Sequence, residues 1–128
     1  MDKLRLAGCA IFSEEGILTL YRKTKSWYEL PGGKIGEGES TEEAAIRELK
    51  EELCIDVQIV RVVGTMDFRQ DEYVMEYNWL EAIIIAGEPQ IGEPDTFDHF
   101  KWIRLRDMCK YQLSPNMENL VRYLNGNH

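Results

Sequence analysis

Apolar residues along the chain alternate first with a strand period, then with a helical one, then return to strands. The runs LRLAGCAIF and GILTLYRK flank the polar cluster SEEG, a pattern that predicts a β-hairpin over residues 4–23. SWYELPGG reads as a short strand stopped by Pro31 and two glycines. A helix follows. Ser40 is placed to cap it, Glu43 sits at the capping-box spacing, and Ile46, Leu49 and Leu53 form an i, i+3, i+7 apolar stripe. Two longer strands, DVQIVRVVGTMDF and YVMEYNWLEAIIIAGEP, are joined by the turn RQDE. HFKWIRL is a further strand, RDMCKYQL a helical turn and PNMENLVRYL a closing helix. The order strands, helix, strands, helix predicts a mixed sheet packed between helices, an α/β or α+β sandwich.

The chain's 128 residues suit one domain with one ordinary core, and no linker, repeat or low-complexity stretch divides residues 1–128. A net charge of −8 argues against a broad basic surface for nucleic acid polymers or anionic membranes. A polyanionic small molecule is still compatible if positive charge is supplied locally. Cys9, Cys54 and Cys109 have no paired spacing, so they read as reduced thiols in a cytoplasmic protein. The most apolar stretch, WLEAIIIAG, is too short to span a bilayer, and the N-terminal run does not read as a signal peptide.

The carboxylates change the picture most. At roughly 100° per residue, Glu48, Glu51 and Glu52 fall within about a third of the helix circumference, away from the apolar stripe. A solvated face is one reading, since Glu43, Arg47 and Glu51 alternate in sign at i, i+4. Glu48 and Glu52, however, form a like-charge i, i+4 pair with Glu51 beside both. A hard divalent cation, Mg²⁺ or Mn²⁺, would resolve that conflict. The preceding LPGGKIGEG permits close backbone approach to a phosphate around Lys34, or simply a tight strand-to-helix turn.

Loop and helix together resemble the signature of the Nudix hydrolases, G-x5-E-x7-R-E-U-x-E-E-x-G-U with U aliphatic. Gly33, Glu39, Arg47, Glu48, Leu49, Glu51, Glu52 and Ile55 match eight of its nine fixed positions across 23 residues. Cys54 stands where that family has glycine, a position at which a left-handed residue usually ends the helix. ELPGGKIGEGES and the C-terminal half, including LSPNMENLVRYL, are similar to the MutT-like nucleoside triphosphate pyrophosphohydrolases. The resemblance implies a Nudix α/β/α sandwich and metal-assisted attack of water on a nucleoside diphosphate derivative. It implies Mg²⁺ (or Mn²⁺) held by Glu48, Glu51 and Glu52, with the Gly32 carbonyl as a further ligand. Arg47 would orient a metal-binding glutamate, and Glu39 would support it, with a place in the metal's outer sphere open to it. Glu48 is the first choice for general base, although a glutamate outside the signature serves in several relatives. Glu93 would be that additional carboxylate, or else a solvated loop residue.

Arg22 and Lys34 are the phosphate contacts the resemblance suggests, Arg22 being otherwise a strand-end surface residue; Gly33 lies beside them. MutT-like enzymes read a purine with an asparagine in the segment matching LSPNMENL; that column holds Met117 here, with Asn116 one place before it, which speaks against oxidised-guanine specificity. Trp27, Tyr28, Phe68, Trp79 and Trp102 are candidates to stack a base or to build core. His99 and His128 have no evident role, and Tyr73 only loosely matches a dinucleoside-polyphosphate tyrosine. No proline marks the ADP-ribose subgroup. The expectation is a Mg²⁺-dependent hydrolase converting an NTP or dNTP to the monophosphate and pyrophosphate. Another nucleotide substrate, such as a dinucleoside polyphosphate or nucleotide sugar, and a non-catalytic nucleotide sensor are the alternatives. Many Nudix proteins form homodimers, but no interface is legible in the sequence.

Overall fold

In a computed structural model, residues 3–126 are described; His128 lies outside them. The elements are β1 (Lys3–Ala10), β2 (Phe12–Ser13), β3 (Gly16–Arg22), β4 (Trp27–Glu29), β5 (Gly32–Lys34), α1 (Thr41–Leu53), β6 (Asp56–Gln70), β7 (Tyr73–Ala86), β8 (Phe97–Ile103), a 3₁₀ helix (Leu105–Lys110) and α2 (Pro115–Leu124). The expected mixed sheet is present, and beside it stands a second four-stranded sheet. The first runs β5-β1-β7-β6 and is mixed, because β1 and β7 are parallel while its other pairs are antiparallel. In the second, β3 pairs antiparallel with β8 along one edge and with β2 and β4 along the other.

The expected hairpin is therefore much shorter than its two apolar runs. Gly8, Cys9 and Ala10 pair with β7, so β1 belongs to the first sheet. The chain crosses at Ile11, and only Phe12–Ser13 fold back on Gly16–Ile17 across the SEEG turn. SWYELPGG divides in the same way. Pro31 has no N–H to continue a ladder, so β4 stays in the second sheet while β5 joins the first. The Pro31 carbonyl accepts from the Cys9 amide at 2.9 Å, fixing that crossing. The glycine segment thus begins where the chain crosses from the second sheet to the edge of the first.

α1 packs across the first sheet and begins with the predicted capping box: Ser40 Oγ accepts from the Glu43 amide at 3.0 Å and Glu43 Oε1 from the Ser40 amide at 2.9 Å. Its buried face differs from the expected stripe. Ile46 is 40% exposed, whereas Ala44, Ala45, Leu49, Leu53 and Glu52 are buried. The two alanines let the helix lie close to the sheet, which turns Ile46 to the margin and brings a glutamate inward. The helix ends at Cys54 in the left-handed conformation, φ 59° and ψ 32°, with its amide donating to the Lys50 carbonyl. A side chain in that conformation costs about 1 kcal/mol. Cys54→Gly is therefore expected to stabilise the fold by up to about 1 kcal/mol, measured by urea denaturation, since the cysteine is exposed.

The closing helix matches its predicted span. Ser114 Oγ caps it by accepting from the Met117 amide, and Met117 and Leu120 pack with Val63, Tyr77 and Trp79 in a second core cluster. No helix among the described residues is long and apolar enough to cross a membrane.

Candidate active site

Arg47 organises the charged side of α1. Its Nε donates to Glu39 Oε2 at 2.7 Å and its Nη2 to Glu39 Oε1 at 2.9 Å and to the Lys34 carbonyl at 3.0 Å. Its Nη1 donates to Glu48 Oε1 and Glu51 Oε1, both at 3.0 Å. Glu39 also accepts from the Gly36 amide. These contacts, the Arg47 pair foremost, hold the Glu39 carboxyl down at about 2. Glu39 is thereby occupied in closing the loop onto the helix. Lysine has no planar fork with which to reproduce this set. Arg47→Lys is expected to cost about 1–2 kcal/mol, discounted for the partial exposure of the cluster, and to lower turnover more than tenfold. A urea titration and a rate measurement on the same preparation check both.

Glu52 is 3% exposed and its Oε1 accepts from the Gly32 amide at 2.8 Å. Burial raises its carboxyl well above the ordinary range, against that single hydrogen bond, and Glu48, Glu29 and Glu93 add to the rise. Glu48 is raised as well, by burial first; Arg47 opposes the rise, and Glu51 and Glu93 reinforce it. The glycines make room for these carboxylates. A Cβ on Gly33 would stand 2.7 Å from the Glu48 carboxyl, and one on Gly32, at φ +146°, would stand 2.1 Å from the Ala7 carbonyl oxygen.

Glu93 arrives on the loop after β7. The Gln90 and Gly92 amides donate to the Leu53 and Glu52 carbonyls at the end of α1. A Cβ on Gly92 would stand 2.1 Å from the Glu51 carbonyl oxygen. The loop is thus pinned to the helix, close enough for Glu93 to disfavour ionisation of both Glu48 and Glu52. Gln90 and Gly92 were not singled out in the sequence.

Glu48, Glu51 and Glu52 lie on the charged side of α1, each held by its own hydrogen-bond partner. Among the described residues no group of three or more Asp, Glu, His or Cys side chains stands gathered as a metal site. Like charges have separated onto different donors: Glu48 and Glu51 onto Arg47, Glu52 onto Gly32. The donor chemistry nevertheless fits a hard divalent cation, because only oxygens are offered, and Glu48, Glu52 and Glu93 have more negative charge in one neighbourhood than their partners offset.

Beside these carboxylates a cleft of about 250 Å³ opens between the sheets. Gly32, Gly33, Arg22, Trp27, Phe68 and Asn116 are among its walls. Arg22 is not a free cation: Nε and Nη2 donate to Glu29 at 2.7 and 3.0 Å, and the guanidinium lies 4.9 Å over the Phe97 ring. Glu29 Oε1 also accepts from Trp27 Nε1 at 2.8 Å. Glu29 was missed in the sequence because its role depends on two neighbours in β3 and β4. Lys34 is not in the cleft. It lies at the exposed end of β5, in a separate depression with Lys3 and Arg5, while Lys25 lines the cleft instead. The strand alternation turns Gly33 and Lys34 to opposite faces.

Of the five candidate stacking aromatics, Trp27 and Phe68 face the cleft. Trp79 is core, and Trp102 packs against the first core cluster. Tyr28 belongs to an aromatic group with Tyr21, Tyr111 and His99. His99 is not incidental, for it stacks on Tyr21 and bridges Asp98 and the Tyr28 hydroxyl at 2.8 and 2.9 Å.

The NUDIX domain model matches residues 2–124. The chain belongs to the Nudix family. It is 31% identical over 132 residues to the 8-oxo-dGTP diphosphatase of Escherichia coli, covering 97% of this chain and 98% of that protein. It is also 31% identical to an uncharacterized Nudix hydrolase, YvcI, of Bacillus subtilis, covering 94% and 78% of the two chains. A crystal structure of a MutT NUDIX hydrolase from Burkholderia pseudomallei superposes with a TM-score of 0.88 at 26% identity, covering 95% of this chain and 98% of that one. This Nudix chain is accordingly a hydrolase of phosphoric anhydrides with the fold of its MutT neighbours.

Proposed function

We propose that this Nudix protein hydrolyses a nucleoside or deoxynucleoside triphosphate to the monophosphate and pyrophosphate with Mg²⁺. The observation that carries the reading is a buried, under-compensated carboxylate, Glu52, tied to Gly32 where that residue lines the cleft of about 250 Å³. Burying a carboxylate with one hydrogen-bond donor is unfavourable unless a cation completes the site. Glu48, Glu51, Glu52 and Glu93, with the Gly32 carbonyl, are the residues that would hold Mg²⁺. When bound, the ion would offset the polyphosphate charge, align the chain and acidify the attacking water.

The chain's own residues do the rest. Glu48, raised by burial, is the general base that takes the proton of the attacking water. Arg47 holds Glu48 and Glu51 in place and can release Glu51 to a cation, since Glu51 is 46% exposed. Trp27 and Phe68, which line the cleft, would stack a base, and Arg22, steadied by Glu29, would contact the phosphate or sugar. The E. coli relative is named an 8-oxo-dGTP diphosphatase, an activity within this class.

A Mg²⁺-supported screen of canonical, methylated and oxidised NTPs and dNTPs, with ADP-ribose and diadenosine polyphosphates, tests the reading. Orthophosphate is followed with and without inorganic pyrophosphatase. Signal on triphosphates only when pyrophosphatase is present is the expected result. Activity confined to ADP-ribose or dinucleotides overturns the substrate class, and tight nucleotide binding without turnover on any compound overturns the enzymatic reading.

A further inference from the structure

Tyr77 packs in the second core cluster and is 8% exposed, yet it also forms part of the cleft wall. Gly8 gives its ring a seat. β1 and β7 run parallel with Leu6 opposite Tyr77, and a Cβ on Gly8 would stand 2.6 Å from Tyr77 Cε1 and 3.0 Å from the hydroxyl oxygen. The phenol therefore lies against β1 at Gly8, whose partner in β5 is Gly32, the residue that holds Glu52. Among the described residues the Tyr77 hydroxyl has no hydrogen-bond partner. No fully enclosed side-chain oxygen among those residues lacks one, so this hydroxyl meets the open space of the cleft. A polar group taken out of bulk water without a fixed partner is unfavourable. A polyanion entering the cleft supplies that partner.

Resting on the nucleotide reading above, we infer that Tyr77 is a further catalytic residue: its hydroxyl donates a hydrogen bond to a non-bridging oxygen of the substrate's phosphate chain. The surroundings close the other roles of a phenol. Burial first, then Glu29, Glu52 and Cys9, raise it, against Arg22, so it stays neutral and serves neither as base nor as nucleophile. The same neighbours place it at the end of the cleft where charge is handled. Arg22 is already committed to Glu29 through two hydrogen bonds. A neutral donor beside it attracts a phosphate oxygen without adding a positive charge that would repel a divalent cation from Glu52. The ring is held by the core and by Gly8, so the donor needs no reorientation as charge develops on the phosphoryl oxygens. Tyr77 carried no signal in the sequence, because its seat is a glycine 69 positions earlier.

The test compares the wild type with Tyr77→Phe, which removes the hydroxyl and keeps the ring. Three readouts are taken: the urea midpoint, kcat/KM with Mg²⁺, and equilibrium binding of α,β-methylene ATP and α,β-methylene GTP followed by tryptophan fluorescence, Trp27 being in the cleft wall. The rate is measured on the best triphosphate of the screen in its ribose, 2′-deoxy and 2′,3′-dideoxy forms. The variant should lose roughly tenfold to a hundredfold in kcat/KM, the range for a hydrogen bond to a charged acceptor, by the same factor in all three sugar forms. Binding of the methylene analogues should weaken as well. The urea midpoint should be equal to the wild type's or higher, since the hydroxyl has no protein partner to lose. A variant within about twofold of the wild type in rate and binding overturns the inference. So does a loss that vanishes in the deoxy or dideoxy form, which would place the hydroxyl on the sugar, and so does a lowered urea midpoint, which would give it a structural partner. Analogue binding weakened by Tyr77→Phe in a protein that turns over no triphosphate overturns the proposed reaction and leaves the donor standing. Turnover untouched by the substitution does the reverse, and a wild type that neither turns over triphosphates nor binds the analogues overturns both.

Discussion

Glu52→Gln is expected to abolish turnover and, in the metal-free protein, to raise stability at the same time. Glutamine keeps an oxygen to accept from the Gly32 amide and removes a charge that is almost fully buried. Because burial raises the wild-type carboxyl, the folded protein holds a proton that the unfolded chain has already released at the same pH. Wild-type stability without metal therefore declines as pH climbs from the ordinary carboxylate value through the raised one. The variant lacks that decline and should be more stable at pH 7–8 by roughly 1–3 kcal/mol. Mg²⁺ should raise the wild-type melting temperature and leave the variant's nearly unchanged. Loss of a ligand that supplies several kcal/mol of charge stabilisation lowers the rate on the order of 10³-fold. Urea titrations in EDTA from pH 5 to 8, melts with and without Mg²⁺ at matched ionic strength, and one rate measurement examine all three consequences. A variant that loses stability at pH 8, or that retains turnover within tenfold, would show that the buried carboxylate is a structural group.

Gly32→Ala should be the most damaging single methyl added to the molecule. At φ +146° an alanine is strained wherever it is placed, and its Cβ would stand 2.1 Å from a backbone oxygen, that of Ala7, which cannot rotate away. Relief requires breaking the Gly8–Gly32 end of the β1–β5 ladder and moving the amide that holds Glu52. The expected cost is about 3 kcal/mol or more, from backbone strain and overpacking together. Activity should fall in the fraction that still folds. Gly38→Ala is the control: Gly38 also has positive φ, but a Cβ there meets nothing within 4 Å, so about 1 kcal/mol is expected. Urea midpoints of the two variants separate the steric contribution from the conformational one.

The pairing of Arg47 with the helix carboxylates answers why α1 tolerates them. In the metal-free state the guanidinium offsets Glu39, Glu48 and Glu51, and the like-charge repulsion that the helical spacing implies falls mainly between Glu48 and Glu52, with Glu93 added from the loop. It is there that a divalent cation has most to offset.

The capped helix, the long β6–β7 pair and the Arg47–glutamate spacing were legible in the sequence, because capping boxes, i, i+4 neighbours and hairpin turns depend on residues a few positions apart, whereas the left-handed exit at Cys54 was shown only by the structure. Family membership was legible for the same reason, since its signature is one contiguous loop and helix. Other features were decided only by the tertiary structure. The early apolar runs divide between two sheets because strand partners up to 86 positions away compete for them, as the Ile17–Ile103 and Lys3–Val74 registers show. Glu52 is buried because two alanines seat the helix closely on the first sheet. Lys34 leaves the cleft and Lys25 enters it through strand alternation and turn geometry. The Asn116 amide oxygen is held by Trp79, 37 residues earlier. Local spacing can name the groups that carry charge and chemistry; which of them lose their water, and which partner each meets, depends on surfaces assembled from distant segments.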